Sequence, residues 1–184
     1  MTSEITQTNN GESSIYLKDS AFEMAQRQAA SLSASTLVPK EYRGQEGLGN
    51  CIVALDIAKR MNVSPLTVMQ NLIVIHGTPS WSSSWIIAQI QGCGRYENFN
   101  YELTGEGDSM KCYCSAKRTS DGKNIKGSTV SIAMAKAEGW TRNSKWRTMP
   151  EQMLKYRAAT FFGRQYIPDL LLGVQTSEEV VDLS

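Results

Sequence analysis

The chain has 184 residues, of which 41% are hydrophobic and 20% are charged, a balance typical of a folded globular protein. No apolar run reaches the roughly 18 residues of a membrane-spanning helix, which excludes such a span. The first residues are polar and acidic, unlike a secretory signal. The four cysteines therefore indicate reduced thiols, and we expect a cytoplasmic protein without a membrane partner.

Charge is distributed unevenly along the chain, although the net charge is only +1. Residues 111–164 carry 12 Lys and Arg against 3 Asp and Glu, a net charge of +9. Residues 1–110 and residues 165–184 are acidic, at −4 each. A basic block indicates a polyanionic partner such as nucleic acid, unless it forms a solvated face that complements acidic surface elsewhere in the fold.

The composition predicts a simple domain organisation. Residues 1–16 are rich in Ser, Thr and Asn and predict a flexible N-terminal arm. Residues 17–184 are expected to form a single domain. Its binding groove would come mainly from residues 111–164, followed by the acidic C-terminal segment 165–184.

Helical and strand patterns are mixed without an internal repeat, which predicts an α+β fold. Proline at a first helical position and small polar caps mark helix starts, and alternating apolar residues mark strands. The predicted elements are helices over 21–32, 50–61, 65–71, 81–90 and 150–165, strands over 72–75, 96–103, 110–118 and 125–136, a loop at Gly44, Gly47 and Gly49, and an acidic C-terminal helix from Thr176.

The strands over 110–118 and 125–136 are predicted to form a hairpin around Asp121-Gly122. Alternation gives the first strand one face of small apolar residues and one face with cations. Keeping the two apolar faces together requires pairs of equal parity, such as Cys112 with Ile132. We therefore expect a loop of three or five residues in this hairpin.

The helix over 150–165 carries two arginines on its otherwise core-facing side. Thr148 and Glu151 have the spacing of a capping box that would begin this helix. Arg157 and Arg164 are the strongest individual candidates for contact with a polyanion, because a buried face rarely carries two arginines. The alternative is that they form buried ion pairs that organise the fold.

Cations and aromatic rings are interleaved through the basic block, a combination that suits single-stranded nucleic acid bound without sequence choice. Cations neutralise phosphates, and rings stack on bases of any identity. For individual rings such as Trp140, Trp146 and Phe161, the alternative is a place in the core. The predicted DNA-binding residues are Lys111, Tyr113, Lys117, Arg118, Lys123, Lys126, Arg142, Lys145, Trp146, Arg147, Lys155, Tyr156, Arg157, Phe161 and Arg164.

Catalytic and metal-binding patterns are weak in this sequence. Cys112-x-Cys114 would place both thiols on one face of a strand, which favours buried small residues over a metal site. The single histidine, His76, lies in no nucleophile motif, and no phosphate-binding loop is present. A metal-dependent nuclease is kept as an alternative on the carboxylates Glu97, Glu102, Glu106 and Asp108.

The C-terminal third resembles the RecT family of phage and prophage single-strand annealing proteins. The resemblance covers roughly residues 45–183 and is most specific over 137–168. Its motifs are Ala137-Glu138-Gly139-Trp140, Lys145 to Leu154, Tyr156-Arg157-Ala158-Ala159, Phe162-Gly163-Arg164, Pro168, Leu171-Leu172-Gly173, Thr176, Glu178-Glu179 and Asp182, with Asn71-Leu72 to Pro79-Ser80-Trp81-Ser82 upstream.

The resemblance implies an ATP-independent protein that coats single-stranded DNA and pairs it with its complement during recombination and repair in a bacterial host cell. It implies a small antiparallel sheet packed on a long helix with flanking helices. It also implies rings or helical filaments with DNA, including an annealed duplex intermediate, in a continuous basic groove. No cofactor and no enzymatic activity are expected.

The resemblance further implies a phage exonuclease and a host single-strand-binding protein as partners. Relatives continue into a C-terminal partner-binding region, so this sequence either is a minimal annealing core or lacks that region. A single-stranded DNA coat or architectural protein that does not anneal is the main alternative function. We also expect the acidic flanks to contact the basic surface of a neighbouring subunit, with Glu178 and Glu179 in that contact.

Overall fold

The structure is a computed structural model that describes residues 15–17 and 19–183. The chain divides into two compact units, Met1–Leu72 and Ile73–Ser184. Most of the predicted flexible arm, residues 1–14, lies outside the described residues. At the end of that arm, Ile15 is buried, and its backbone N–H donates to Asp56. The expectation that residues 17–184 act as one domain stays a prediction.

The first unit is helical. A 3-10 turn at Ile15–Leu17 precedes α1 (Asp19–Ser33), and a second 3-10 turn at Lys40–Tyr42 precedes α2 (Gly44–Met61) and α3 (Pro65–Asn71). α1 packs against α2, whose buried side is made largely of Ala, Leu and Ile side chains. Proline at the start of α3 confirms the helix start predicted there.

The loop predicted at the three glycines is wrong, because α2 already begins at Gly44. Gly44 has φ +69°, a left-handed conformation that glycine adopts without strain. Gly47 faces the backbone of Tyr42, and a Cβ there would lie 2.2 Å from the Tyr42 carbonyl carbon. Close packing of the backbone therefore requires a glycine at this helical position. In the sequence, such a glycine looks the same as a glycine of a loop.

The second unit contains the other helices and strands that the structure describes, except that β1 begins at Leu72, the last residue of the first unit. In chain order the elements are β1 (Leu72–Ile75), β2 (Thr78–Trp81), α4 (Ser83–Gly92), β3 (Tyr96–Thr104), β4 (Lys111–Arg118), β5 (Asn124–Lys126), β6 (Val130–Ser131), α5 (Ile132–Ala137), α6 (Lys145–Thr148), α7 (Pro150–Tyr166), α8 (Pro168–Leu171), β7 (Gln175–Thr176) and α9 (Ser177–Leu183).

Two small sheets organise this unit. One has the strand order β1-β2-β7, and in the other β4 is flanked by antiparallel β3 on one side and by β5 and β6 on the other. One face of β4, with Cys112, Cys114 and Ala116, is buried, and the long helix α7 packs against this strand. This confirms the predicted α+β fold, with a small antiparallel sheet on a long helix and flanking helices.

The hairpin agrees with the predicted parity at one end only. Cys112 pairs with Val130, a pair of equal parity, whereas Ala116 pairs with Ile125, a pair of opposite parity. Two residues, Ser128 and Thr129, face the single residue Tyr113 between these stretches, which is the count of a β-bulge. The bulge shifts the register by one residue and keeps both apolar faces on the helix side.

Two predictions about this hairpin are wrong. The Arg118 N–H donates to the Lys123 carbonyl at 2.8 Å, so the loop has four residues rather than three or five. The second strand ends at Ser131, whose side chain accepts from the Met134 N–H at 3.0 Å and caps a helix. Ile132 and Ala135 are the buried residues of this helix, and their separation of three residues is a helical spacing. Val130, Ile132 and Met134 also alternate, and that alternation is the pattern from which the strand was predicted.

Helix capping differs between the two predicted start sites near the C-terminus. α7 begins at Pro150 as predicted, but its N-cap residue is Met149, and no side chain caps it. The Thr148 to Glu151 capping box is therefore wrong. At α9, the Glu179 N–H donates to Thr176 Oγ1 at 3.3 Å, and the Thr176 N–H donates to Glu179 Oε2 at 3.0 Å. The capping box thus lies at the C-terminal helix.

Within residues 15–17 and 19–183, no helix combines the length and the apolar character that a membrane span requires.

One buried and one exposed glycine of α2 give a test of this packing. We expect Gly47→Ala to destabilise the protein by about 1–3 kcal/mol or more, because the new Cβ meets fixed backbone. Gly49 is exposed and has open space at its Cβ position, so Gly49→Ala is expected to stabilise α2 by about 0.5–1 kcal/mol. Chemical denaturation of both variants checks the pair, and equal effects would contradict the close approach.

Candidate nucleic-acid interface

A buried ion network joins the long helix α7 to the C-terminal helix α9. Arg157 is 5% exposed, and its guanidinium pairs with Glu179 at 3.3 Å and with Asp182. Arg164 contacts Glu179 at 2.6 Å from a half-exposed position. Arg157 also lies over the Trp140 ring, with 4.1 Å between its Cζ and the ring centroid. Two carboxylates therefore balance the two arginines that α7 carries on one side.

Asp182 extends this network to the segment that precedes α7. Its carboxylate accepts from Trp146 Nε1 at 3.1 Å and from Asn143 Nδ2 at 3.0 Å. The Asn143 side chain in turn accepts from the backbone N–H of Lys145 at 3.1 Å. These bonds fix α6, a single helical turn, against α7 and α9. Asp182 thus positions the basic residues on either side of Trp146.

The carboxylates of the acidic C-terminal segment, residues 165–184, have their partners within this unit. Asp169 pairs with Arg95 on the surface, and Glu178 accepts hydrogen bonds from Ser83 and Ser177. Glu179 and Asp182 are buried in the network described above. The expectation that Glu179 faces a neighbouring subunit is therefore wrong, because its carboxylate is enclosed by partners from its own chain.

Among residues 15–17 and 19–183, the twelve cations of the basic block divide into two equal groups. Six lie within 4 Å of a carboxylate: Lys117, Arg118, Lys123, Lys136, Arg157 and Arg164. The other six contact no carboxylate within the described part of the chain, and they are Lys111, Lys126, Arg142, Lys145, Arg147 and Lys155.

The solvent-facing side of β4 brings together four of the predicted residues. Lys111, Tyr113 and Lys117 alternate along β4 with the buried residues, and Lys126 comes from β5. The Lys126 ammonium lies 4.1 Å from the centroid of the Tyr113 ring. Lys117 is paired with Glu97 of β3 at 2.8 Å. This face therefore carries both a cation-covered ring and a neutralised lysine.

The turn between β4 and β5 holds its cations in local ion pairs. Arg118 donates two hydrogen bonds to Asp121, at 2.9 and 2.7 Å, and Lys123 lies 3.6 Å from the same carboxylate. The Arg118 guanidinium is the main reason that the pKa of Asp121 is lowered to about 2. The carboxylate is therefore ionised at neutral pH, and it neutralises part of the positive charge of this turn.

α6 places two unpaired cations in two different clefts. Lys145 lines a cleft of about 320 Å³ together with Tyr156 and the serines that begin α4. Arg147 lines a second cleft of about 400 Å³ together with Lys136. Trp146, between them in sequence, is turned into the core and bonded to Asp182.

The remaining predicted residues lie on α7 and in the segment before α6. Lys155 and Tyr156 are half-buried on α7. Burial raises the pKa of the Cys112 thiol to about 11, and the nearby Lys155 ammonium opposes this shift. Arg142 is exposed, and its Nε donates to the Gly139 carbonyl at 3.2 Å.

Two of the predicted rings are packed rather than free. Trp146 is 3% exposed and lies 5.5 Å from Trp140, measured between ring centroids. Phe161 is half-buried and meets Trp140 edge-on. Direct contact of Trp146 or Arg157 with DNA stays a prediction that their burial disfavours. Phe161, Tyr113 and Tyr156 remain partly accessible.

The two cysteines of β4 are buried, as the favoured interpretation of their spacing predicts. Cys112 and Cys114 have no exposed surface and face α7 with Ala116. Within the described residues, no three side chains of His, Cys, Asp or Glu are grouped as metal ligands would be.

Sequence reasoning missed the acidic half of the ion network. Arg157 and Arg164 are seven residues apart and lie on one side of α7, whereas Glu179 and Asp182 are three apart on α9. Each spacing places two charges on one side of a helix, but neither identifies the other helix as its partner. The sequence also did not predict the pair of Lys136 and Asp108, which lie 2.6 Å apart beside the second cleft; Asp108 is named only among the carboxylates of the nuclease alternative.

Comparison with protein families gives a match for most of the second unit. The sequence model of the RecT family matches residues 79–184, which is more than half of the chain. The chain belongs to the RecT family. It is therefore a single-strand annealing protein by family, and this family supports a general role in DNA recombination. No curated protein and no solved structure matches the chain.

The matched RecT region contains the whole basic block and the ion network that orders it. It begins at Pro79 in β2 and extends through α9. The first unit, by contrast, lies outside the match. The family assignment thus rests on the second unit.

Replacing the buried arginine tests which role it has. We expect Arg157→Ala to lower the free energy of unfolding by about 3–5 kcal/mol, because it leaves Glu179 and Asp182 buried with fewer partners. Arg164→Ala should cost less, since Arg164 is 43% exposed and Glu179 keeps Arg157. Thermal melting of both variants is the measurement. Normal melting of Arg157→Ala together with abolished DNA binding would instead make Arg157 a DNA contact.

Proposed function

We propose that this protein binds single-stranded DNA through the unpaired cations of residues 111–164 and anneals it to a complementary strand without ATP. The observation that carries the proposal is that half of the twelve cations in this block contact no carboxylate in the described part of the chain. Such cations are available to phosphates at little cost in broken ion pairs.

The arrangement of these cations supports phosphate contact rather than base recognition. Lys111 and Lys126 lie on the solvent-facing side of the sheet, and Lys145 and Arg147 lie on α6. Lysine and arginine at exposed positions bind a sugar-phosphate backbone whatever its sequence. Most bases would then stay free to be tested by a second strand, and complementary stacking would retain the correct partner.

Self-association would extend the proposed groove from one subunit to the next. A single protein of this size covers few nucleotides, whereas adjoining subunits make binding cooperative along the strand. An exonuclease that exposes single strands and a host single-strand-binding protein are the partner classes that such a protein would use. ATP plays no part in this proposal, which agrees with the lack of a phosphate-binding loop motif in the sequence.

Substitution of individual cations tests which group binds phosphate. We expect Lys145→Ala and Arg147→Ala each to weaken the binding of a single-stranded oligonucleotide, whatever the base sequence of that oligonucleotide. The slope of log affinity against log salt should fall by about 0.7 for each phosphate that is no longer neutralised. Lys123→Ala should have a smaller effect, because Lys123 shares Asp121 with Arg118 in a local ion pair. Fluorescence anisotropy over a salt series measures both quantities.

Equal reductions in affinity for the three variants would show that only net charge matters and that the distinction between paired and unpaired cations carries no information. Circular dichroism melting of each variant separates a direct effect on DNA binding from an effect on folding.

Annealing itself is tested with two labelled complementary oligonucleotides, without ATP, over the same salt series. We expect the protein to accelerate pairing, and the acceleration to fade as salt screens the attraction between cations and phosphates. A non-complementary pair is the control and should give no signal.

Tight binding without acceleration would favour a coat or architectural protein. Degradation of the oligonucleotides with Mg²⁺ would favour the nuclease alternative, and no binding at low salt would refute the proposal.

A further inference from the structure

The cleft beside Arg147 has the features of a small-molecule subsite. Its volume is about 400 Å³, within the range of about 300–1,000 Å³ typical of ligand pockets. Its lining includes the apolar side chains of Met110, Ile132 and Pro150 and the indole of Trp146. Ile132 and Trp146 are themselves buried. The floor of the cleft is therefore apolar and continuous with the core.

Three contacts between residues of the lining and their neighbours hold the walls of this cleft in place. The Ile132 N–H donates to the Met110 carbonyl at 3.0 Å, which joins α5 to the start of β4. Trp146 is fixed by Asp182 through its indole N–H. The Lys136 ammonium lies 2.6 Å from Asp108, and both residues line the cleft. A cleft fixed in this way is formed before any ligand enters it.

The lining of the cleft carries an excess of positive charge. Arg147 lines the cleft and contacts no carboxylate among the described residues. Asp108 is the only acidic residue in the lining, as far as the described residues show, and Lys136 neutralises it. An occupant with an apolar ring and an adjoining negative charge suits this setting.

We propose that this cleft accepts one nucleobase of the bound single strand, unstacked from its neighbours, while Arg147 holds the adjoining phosphate. The proposal rests on the proposed function, since it needs single-stranded DNA on this surface. A base offers a flat apolar ring for the floor, and its phosphate offers the negative charge that would pair with Arg147. One base held in the cleft by each subunit would fix the register of the strand on the protein.

The experiment compares two oligonucleotides of equal length, one with all bases and one with abasic sites throughout. Both carry the same phosphates, so their electrostatic contribution to binding is matched. We expect the protein to bind the oligonucleotide with bases with roughly fivefold or higher affinity, because the stacking of a single base contributes at least this much.

Two variants then test whether the cleft is the source of this preference. Thr141→Met fills the cleft from an exposed position without adding an aromatic face, and Met110→Ala removes part of the floor. Both should lose most of the preference and keep the affinity for the abasic strand. Ser120→Met is the matched control, because Ser120 is exposed in the β4–β5 turn and does not line the cleft. It should keep the preference.

The outcomes separate this proposal from the proposed function. If the protein binds both oligonucleotides equally, the base site is refuted while single-stranded DNA binding stands. If it binds neither, the proposed function fails first. A preference that survives both cleft variants places base contact elsewhere and overturns the proposal. A change in oligomer size of Thr141→Met without DNA, measured by sedimentation, would show that a second copy of the chain occupies the cleft instead.

Discussion

The buried pairing of Arg157 with Glu179 and Asp182 is the interaction on which the second unit depends. Removing such charges from water costs several kcal/mol for each ion, so the cluster is favourable only if every charge keeps its partners. Asp182 meets this condition by accepting from Arg157, Trp146 and Asn143 at once. One carboxylate of α9 is thereby joined to α7 and to the segment that precedes it, and the position of α6 follows from these bonds.

This network changes how the charge of the sequence is understood. The net charge of residues 111–164 overstates the positive charge that faces solvent, because part of it is neutralised by the acidic C-terminal segment within the same unit. One half of the cations is paired: four of them with carboxylates outside the block, as in the alternative interpretation, and Arg118 and Lys123 with Asp121 inside it. The polyanion hypothesis now concerns the other half, and the two interpretations apply to different residues of one block.

Local signals in the sequence predicted local structure well, as at Pro65 of α3 and in the alternation along β4. They failed where one pattern in the sequence has two explanations. Gly47 suggests a loop but is required where the Tyr42 backbone packs against α2, and the alternation from Val130 concealed the helix cap at Ser131. For the interface, residue type identified the cations, but pairing with Glu179 or Asp121 could not be derived without the tertiary fold. The family motifs selected the correct segment without separating paired from unpaired charges.

The bulge opposite Tyr113 has a consequence for how this chain tolerates changes in length. A strand with period two exchanges its faces whenever one residue is removed or added. Removal of either Ser128 or Thr129 would erase the bulge, and β5 and β6 would then share one register against β4. The residues on either side of the former bulge would alternate regularly, and Ile125 and Val130 would both stay on the helix side. A single-residue deletion should therefore be tolerated at this point among related sequences, whereas a deletion elsewhere in these strands would exchange their faces.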